Sequence, residues 1–282
     1  MQLVKTVVLT SWAMLAFAAN LLLCRMALKH TGIDAGSFTL IRLASGAAIL
    51  LLVLRASRGK VEWGGNWRSA LALFTYAAGF SFAYMSLPAA TGALLLFGAV
   101  QATMIGYALW SGERLQKVQM VGLLLAVSGL IAMFLPGISM PPLSGALLMV
   151  GAGVAWGTYS LRGKGVGDPT QVTAGNFLRA LVFAVAMTAL RMGQVSLDRE
   201  GIVLAVLSGA LASGLGYATW YAVLPALKAS NAAIVQLCVP VIAALGGVLI
   251  LNEPITWRLT LASFAILGGI AMVIFAKAKP KS

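Results

Sequence analysis

The chain has 282 residues, of which 60% are hydrophobic and 10% are charged, and its mean hydropathy is +0.94. Soluble domains carry about a quarter charged residues, so this composition excludes a water-soluble globular protein. The net charge of +13 comes from basic residues that are spread over the chain without a nucleic-acid-binding motif, which excludes a nucleic-acid partner.

Ten apolar stretches follow one another along the chain, and each has the length of about 17–25 residues that crosses the hydrocarbon core of a bilayer. A helix is the only open-ended element that satisfies its own backbone hydrogen bonds in lipid. We therefore predict an all-α integral membrane protein with ten transmembrane helices. The predicted helices cover 6–28, 35–55, 68–87, 90–111, 118–135, 144–161, 171–190, 201–224, 231–251 and 259–276.

The distribution of Lys and Arg predicts the orientation of these helices. If the N-terminus is cytoplasmic, thirteen basic residues lie in cytoplasmic segments, and the outer segments hold only Lys29, Arg191, Arg199 and Arg258. This positive-inside bias, together with an even number of crossings, places both termini in the cytoplasm.

Several motifs of the first half of the chain recur in the second half. The aligned segments are 40–43 with 177–180 and 84–89 with 221–226, both at an offset of 137, and 112–115 with 252–255 at an offset of 140. Each half contains five predicted crossings, an odd number, so the second half enters the membrane in the opposite sense. We therefore predict two inverted five-helix repeats, 1–136 and 137–282, with alternating access to a central site between them.

The motifs also resemble those of a known family. They are Arg42 and Arg179, the run 217–225, the Val-Pro-Val of 239–241, the Asn-Glu-Pro-Ile of 252–255 and the Gly-Gly of 268–269. This pattern resembles the EamA-type branch of the drug/metabolite transporter superfamily, and the ten-helix layout is most similar to its YddG-type amino-acid and metabolite exporters. The resemblance implies efflux by a multi-pass protein of a bacterial-type inner membrane.

Aromatic side chains recur on one helix face in each half. Tyr76, Phe80 and Tyr84 are spaced i, i+4, i+8, and the offset of 137 leads to Tyr217 and Tyr221. These faces favour a central cavity for a partly apolar solute, whereas the alternative is helix packing or an interfacial aromatic belt. Mid-helix amides would bind the polar groups of the solute, or else join helices. The predicted substrate-binding residues are Asn20, Tyr76, Phe80, Tyr84, Gln101, Trp156, Tyr159, Tyr217, Trp220, Tyr221 and Gln236.

Two arginines and a proline lie inside predicted helices. Arg42 and Arg179 occupy equivalent depths from opposite sides, where a cation is costly and usually faces protein or water. We expect each to have a structural or gating role ahead of direct contact with the solute, and the alternative is snorkelling to the nearer interface. Pro240 removes one backbone hydrogen bond from the ninth predicted helix and so allows a hinge.

Acidic residues fall only at or outside the ends of the predicted helices, so the mid-membrane carboxylate of a usual proton relay is missing. This pattern favours facilitative or weakly coupled exchange, although coordination of sodium by backbone carbonyls stays open. We expect no cofactor and no metal site.

These observations predict a carrier that exports small amphoteric solutes, above all amino acids including aromatic ones. The alternative is a drug or phosphorylated-metabolite exporter, which needs fixed cations in the cavity, with Arg25, Arg42, Lys164 and Arg179 as candidates. A membrane-embedded enzyme is disfavoured because His30 is the sole histidine and no acidic pair accompanies it. The expected partners are the solute and the lipid bilayer, and the chain is expected to work as a monomer.

Overall fold

The structure, a computed structural model, describes residues 2–58, 64–87, 89–134, 142–165, 167–251 and 257–275. Within these ranges every regular element is helical, which confirms the all-α prediction. The α-helices are α1 (Gln2–His30), α2 (Ala35–Arg58), α3 (Trp67–Ser86), α4 (Ala89–Trp110), α5 (Lys117–Phe134), α6 (Leu143–Arg162), α7 (Pro169–Leu190), α8 (Arg199–Leu207), α9 (Gly216–Val223), α10 (Ala229–Val235), α11 (Cys238–Leu251) and α12 (Trp257–Phe275).

Six helical spans in the described residues are long and apolar enough to cross a membrane, which makes the chain a multi-pass membrane protein. They are Leu3–His30, Ala35–Ser57, Gly92–Trp110, Pro169–Leu190, Arg199–Ala226 and Ala229–Leu249. Large apolar side chains such as Leu124, Leu147 and Phe264 are exposed on the outer helix faces. In a membrane these faces contact lipid, because no backbone polar group on them needs water.

The predicted helix 201–224 contains a π-helical segment, Ser208–Leu215, that the sequence analysis did not foresee. The π segment separates α8 from α9 and packs closely on α2, where a Cβ added at Gly209 would overlap the carbonyl of Arg42. Its wider turn leaves Ser208 and Ser213 both within hydrogen-bond reach of Asn20. Single π turns of this kind are frequent at functional sites.

The predicted helix 231–251 is broken into α10 and α11 at Gln236 and Leu237. Pro240 explains the break, because it has no N–H to donate to the carbonyl of Gln236, four residues earlier. The Val239 N–H donates to that carbonyl instead, at 3.1 Å, and the chain passes through a tight turn before α11 begins. The interruption therefore lies just before Pro240.

The core lies between the early and the late helices of the chain. The main pairings join α2 to α7, α3 to α6 and α7, α4 to α6 and α10, α1 to α9 and α11, and α5 to α12. Glycines allow the closest of these contacts, as in α5 and α12, where Gly122 and Gly269 meet backbone to backbone.

Adding one methyl group at Gly269 is expected to destabilise the protein, because the new Cβ would overlap the carbonyl oxygen of Gly122. Overpacking of this kind costs about 1–3 kcal/mol. Gly268→Ala is the matched control, since an added Cβ there meets no atom within 4 Å. Thermal unfolding of the purified protein in detergent compares Gly269→Ala with Gly268→Ala, and equal unfolding temperatures would contradict the close α5–α12 contact.

Candidate functional site

A small cavity lies within the helix bundle, with a volume of about 30 Å³. A cavity of this size holds about two water molecules and no larger solute. Side chains of α1, α3, α4, α6, α9 and the α10–α11 break surround it. The lining residues are Phe17, Asn20, Leu21, Tyr76, Leu96, Phe97, Val100, Trp156, Tyr217, Gln236 and Val239.

Four aromatic rings form one wall of this cavity, and Trp156 lies in the middle of them. Its ring centroid is 4.7 Å from that of Tyr217, 4.9 Å from that of Tyr76 and 5.1 Å from that of Phe17. Such ring pairs stabilise one another through edge-to-face and offset contacts. We call these four residues the aromatic box.

The guanidinium of Arg42 lies behind the aromatic box and is 1% exposed. Its Nη2 donates to the hydroxyl of Tyr217 at 2.6 Å and to that of Tyr76 at 3.4 Å, and its Nε donates to the hydroxyl of Ser213 at 2.9 Å. The guanidinium also lies over the rings of Tyr76 and Phe80, 5.2 and 5.9 Å from their centroids. This buried cation therefore has only neutral hydrogen-bond partners among the described residues.

Asn20 connects α1 to the π segment at the same level. Its Oδ1 accepts hydrogen bonds from Ser208 at 2.6 Å and from Ser213 at 3.4 Å, and its Nδ2 donates to the hydroxyl of Tyr76 at 3.3 Å. Because Ser213 and Tyr76 also bind Arg42, the network joins four helical elements around one buried charge.

The opposite side of the cavity is formed by Gln236 at the helix break. Its Oε1 accepts a hydrogen bond of 2.7 Å from Trp156, and its Nε2 donates to the carbonyl of Ala232 at 3.0 Å. This amide therefore presents an acceptor oxygen next to the rings of the aromatic box. In the described residues no group of three or more His, Cys, Asp or Glu is arranged to hold a metal ion.

Five of the predicted substrate-binding residues line the cavity, namely Asn20, Tyr76, Trp156, Tyr217 and Gln236. The other six lie behind this lining. They are Phe80 and Tyr84, whose rings pack on each other, Gln101, which donates to the carbonyl of Ala233, Trp220, which donates to Ser160, and the stacked pair Tyr159 and Tyr221. A role for each in transport stays a prediction.

The two equivalent arginines lie in different surroundings. Whereas Arg42 is central, Arg179 donates through Nη1 to the carbonyls of Gly64 and Gly175, at 2.7 and 2.9 Å. Gly64 belongs to the segment before α3, so Arg179 binds backbone at one end of the bundle. The gating roles predicted for Arg179 and Pro240 stay predictions.

Several lining residues were missed by the sequence analysis. Phe17 has a recognisable signal, because it corresponds to Trp156 in the internal repeat at an offset of 139. The aliphatic residues Leu96, Val100 and Val239 have none, since any apolar position in a membrane helix looks alike.

Two carboxylates tie loops together at opposite ends of the bundle. After α1, Asp34 accepts from the N–H groups of Gly36 and Ser37, and from that of Ser196 in the loop before α8 at 2.9 Å. After α4, Glu113 accepts from the N–H of Ala229 at 2.9 Å, and from the N–H and the hydroxyl of Ser230, which is 2.7 Å away. Both contacts link the first half of the chain to the second.

Hydrogen bonding decides the protonation of these two carboxyls. Partial burial alone would raise the pKa of Glu113, but the hydrogen bonds from Ser230 and Ala229 outweigh it and hold the pKa below the ordinary value. The pKa of Asp34 is lowered in the same way, because the hydrogen bonds from Ser37, Ser196 and Gly36 outweigh its burial. Both groups are therefore ionised at neutral pH.

The contact of Glu113 is expected to be lost only in acid. A carboxyl whose pKa is lower in the folded protein contributes stability above its unfolded pKa, here about 4.5, and loses that contribution as the pH falls through the lowered value. Unfolding temperatures measured from pH 7 to about pH 3 should fall less steeply for Glu113→Gln than for the unchanged protein. The exposed Glu200 provides the control Glu200→Gln, and identical slopes for all three proteins would contradict the contact.

Removing the hydroxyl of Tyr217 is expected to destabilise the protein, because Arg42 loses its shortest hydrogen bond in a buried site. Bonds to charged groups contribute about 1.5–3 kcal/mol. The control Tyr107→Phe removes the same atom from an exposed ring. Chemical unfolding in detergent measures the free energy of unfolding of Tyr217→Phe and of Tyr107→Phe. A loss of stability confined to Tyr107→Phe would argue against the network.

Comparison with known proteins places this geometry among transporters. The family model described as the EamA-like transporter family matches residues 143–275. A crystal structure of another protein superposes with a TM-score of 0.81 over 95% of this chain and 96% of its own, at 18% sequence identity, which shows a shared fold alone.

Two relatives extend the match along most of the chain. An uncharacterised protein of Pseudomonas aeruginosa is 56% identical over 271 residues, which are 96% of this chain and 94% of that protein. The threonine/homoserine exporter RhtA of Escherichia coli is 28% identical over 245 residues, which are 83% of this chain and 80% of the exporter. The family match over its second half and the similarity to an exporter over 83% of its length show that the chain belongs to the EamA-like transporters of the drug/metabolite transporter superfamily.

Proposed function

We propose that this protein exports small amphoteric solutes, above all amino acids including aromatic ones, from the cytoplasm across a bacterial-type inner membrane. The observation that carries the proposal is the central cavity, where an aromatic box lies between the donors of Arg42 and an acceptor at Gln236. Aromatic faces bind apolar side chains, and the two polar walls suit the two charged ends of an amino acid. The similarity to a threonine/homoserine exporter supports the same solute class.

The proposed carrier has ten membrane crossings in two inverted repeats, 1–136 and 137–282, with both termini cytoplasmic. The pairing of the helices supports the repeats, because exchanging the halves turns the main contacts into others that are present. The contact of α3 with α6 corresponds to that of α9 with α1, and the contact of α4 with α6 corresponds to that of α11 with α1. The excess of basic residues in alternate loops supports the orientation.

Transport by alternating access requires that each end of the cavity opens while the other stays closed. The contacts of Asp34 with Ser196 and of Glu113 with Ser230 lie at opposite ends and join different halves, so breaking one of them opens one side. The π segment and the α10–α11 break provide places where helices can bend without losing a long run of hydrogen bonds. Arg179 and Pro240 act in these movements as structural residues.

Exchange is proposed to need no ion gradient. The carboxylates of the described residues lie at helix ends and in loops, so no acidic group in the cavity is available to carry a proton. The polar groups that line the cavity are phenols, amides and an indole, and one guanidinium lies behind them.

The second candidate is an exporter of phosphorylated metabolites, and the central position of Arg42 favours it. A phosphate monoester carries nearly two negative charges at neutral pH. The other repeat arginine, Arg179, binds backbone carbonyls at one end of the bundle and does not add its charge to the cavity. A single cation suits a singly charged carboxylate better than a phosphate.

Counterflow into proteoliposomes tests the proposed function. Vesicles preloaded with one unlabelled amino acid should take up the same labelled amino acid without an ion gradient, across a panel from glycine to tryptophan. Trp156→Ala should reduce this uptake by roughly tenfold or more, because it removes the central ring of the aromatic box. Trp110→Ala, which truncates an exposed indole, is the matched control.

The outcomes of this experiment separate the two candidates. Uptake of no amino acid, together with exchange of a sugar phosphate, would replace the proposed function by the second candidate. Equal loss of uptake in Trp156→Ala and Trp110→Ala would show that the aromatic box has no specific role in binding the solute.

A further inference from the structure

Arg42 carries a positive charge that the described part of the protein does not neutralise. Its hydrogen-bond partners are the hydroxyls of Ser213, Tyr217 and Tyr76, and no carboxylate of the described residues is among them. The guanidinium is 1% exposed, so water does not screen it. A buried charge of this kind is costly unless a counter-ion accompanies it.

The hydrogen-bond donors around Arg42 outnumber the acceptors. Nη1 of Arg42 is buried and has no hydrogen-bond partner among the described residues. The hydroxyls of Tyr76 and Tyr217 are 3.3 Å apart and share one hydrogen bond, so the hydrogen of one phenol has no acceptor. Asn20 supplies no spare acceptor, because its Oδ1 already accepts from Ser208 and Ser213.

The guanidinium lies behind the lining, and two of the hydroxyls that hold it reach the edge of the cavity. Tyr76, Tyr217 and Asn20 line it, and the first two are bonded directly to the guanidinium. The site therefore combines one uncompensated positive charge with unused N–H and O–H hydrogens. Its chemical complement is a small planar anion with several lone pairs, which describes a carboxylate.

We propose that Arg42, Tyr76 and Tyr217 form a subsite for the carboxylate of the transported solute, so that the carrier selects solutes with one carboxylate over their amides, alcohols and phosphate esters. This inference deepens the proposed function and rests on it. A carboxylate at Arg42 brings the net charge of the site to zero. The ammonium of an amino acid then faces the aromatic box and Oε1 of Gln236, two environments that favour a cation.

Arg179, which aligns with Arg42 in the repeat and is only partly buried, is satisfied without a solute. It donates from Nη1 to two backbone carbonyls that belong to permanent parts of the structure. The corresponding Nη1 of Arg42 has no such partner. A purely structural role for Arg42 leaves this difference between equivalent residues without an explanation.

The first test uses pairs of probes that differ only at the carboxyl group, so that it needs no variant. Unlabelled L-threonine and L-phenylalanine should compete with labelled amino-acid uptake at concentrations at least roughly tenfold lower than L-threoninamide and L-phenylalaninamide. Competition at equal concentrations by acid and amide would overturn the subsite even where amino acids are exchanged. Competition by L-phosphoserine is compared with competition by L-serine, which tests the preference for a single negative charge.

The second test measures binding without transport. The carboxylate 3-phenylpropionate should raise the unfolding temperature of the purified protein in detergent, and 3-phenylpropionamide of the same shape should not. The shift should disappear in Arg42→Gln, persist in reduced form in Arg42→Lys, and remain in Arg179→Lys. Absence of a carboxylate-specific shift, or its persistence in Arg42→Gln, would overturn the inference.

The two tests distinguish a failure of the subsite from a failure of the proposed function. If no amino acid is exchanged but 3-phenylpropionate stabilises the protein through Arg42, the proposed solute class is wrong and the carboxylate subsite stands. If amino acids and their amides are exchanged equally well, the proposed function stands and the subsite falls. If Arg42→Gln does not fold, the matched acid and amide probes on the unchanged protein still decide the question.

Discussion

A guanidinium in the middle of an apolar bundle is the constraint around which the site is arranged. Arg42 is held by hydroxyls from the π segment, α9 and α3, and those groups are held in turn by Asn20 on α1. Every element that touches this charge belongs to the lining of the cavity or supports it. Where a soluble protein would provide a carboxylate, this protein provides aromatic rings and neutral hydroxyl acceptors, and in the proposed subsite the charge is available to a ligand.

Much of the fold follows from composition and helix length alone. The ten apolar stretches predicted where helices occur, because an apolar segment that crosses a bilayer must satisfy its own backbone hydrogen bonds by forming a helix. Aromatic residues at helical spacing identified Tyr76 and Tyr217, and the internal repeat linked Trp156 to Phe17. The sequence was less informative about which residues reach the cavity. The stripe of Tyr76, Phe80 and Tyr84 runs along a helix of which only one turn meets the cavity.

The surroundings of the two arginines were beyond prediction from the repeat. Arg42 and Arg179 occupy equivalent positions, yet one faces the centre and the other binds backbone carbonyls. The difference accompanies a local departure from symmetry, because Arg42 bonds to Ser213 in the π segment Ser208–Leu215, whereas the corresponding helix α3 is continuous. An alignment of the halves shows which residues correspond but contains no information about such changes of helix geometry.

The π segment also sets the rotational phase of the helix that follows it. A π turn contains about one residue more than an α turn, so converting Ser208–Leu215 to α-helix would rotate α9 relative to α8 by roughly 100°. Ser208 and Ser213 could not then both bond to Asn20, and Tyr217 would turn away from Arg42. With the proposed carboxylate subsite, the affinity of the cavity for an anion is coupled to the winding of a single helix, and a twist of one residue would suffice to release a bound ligand.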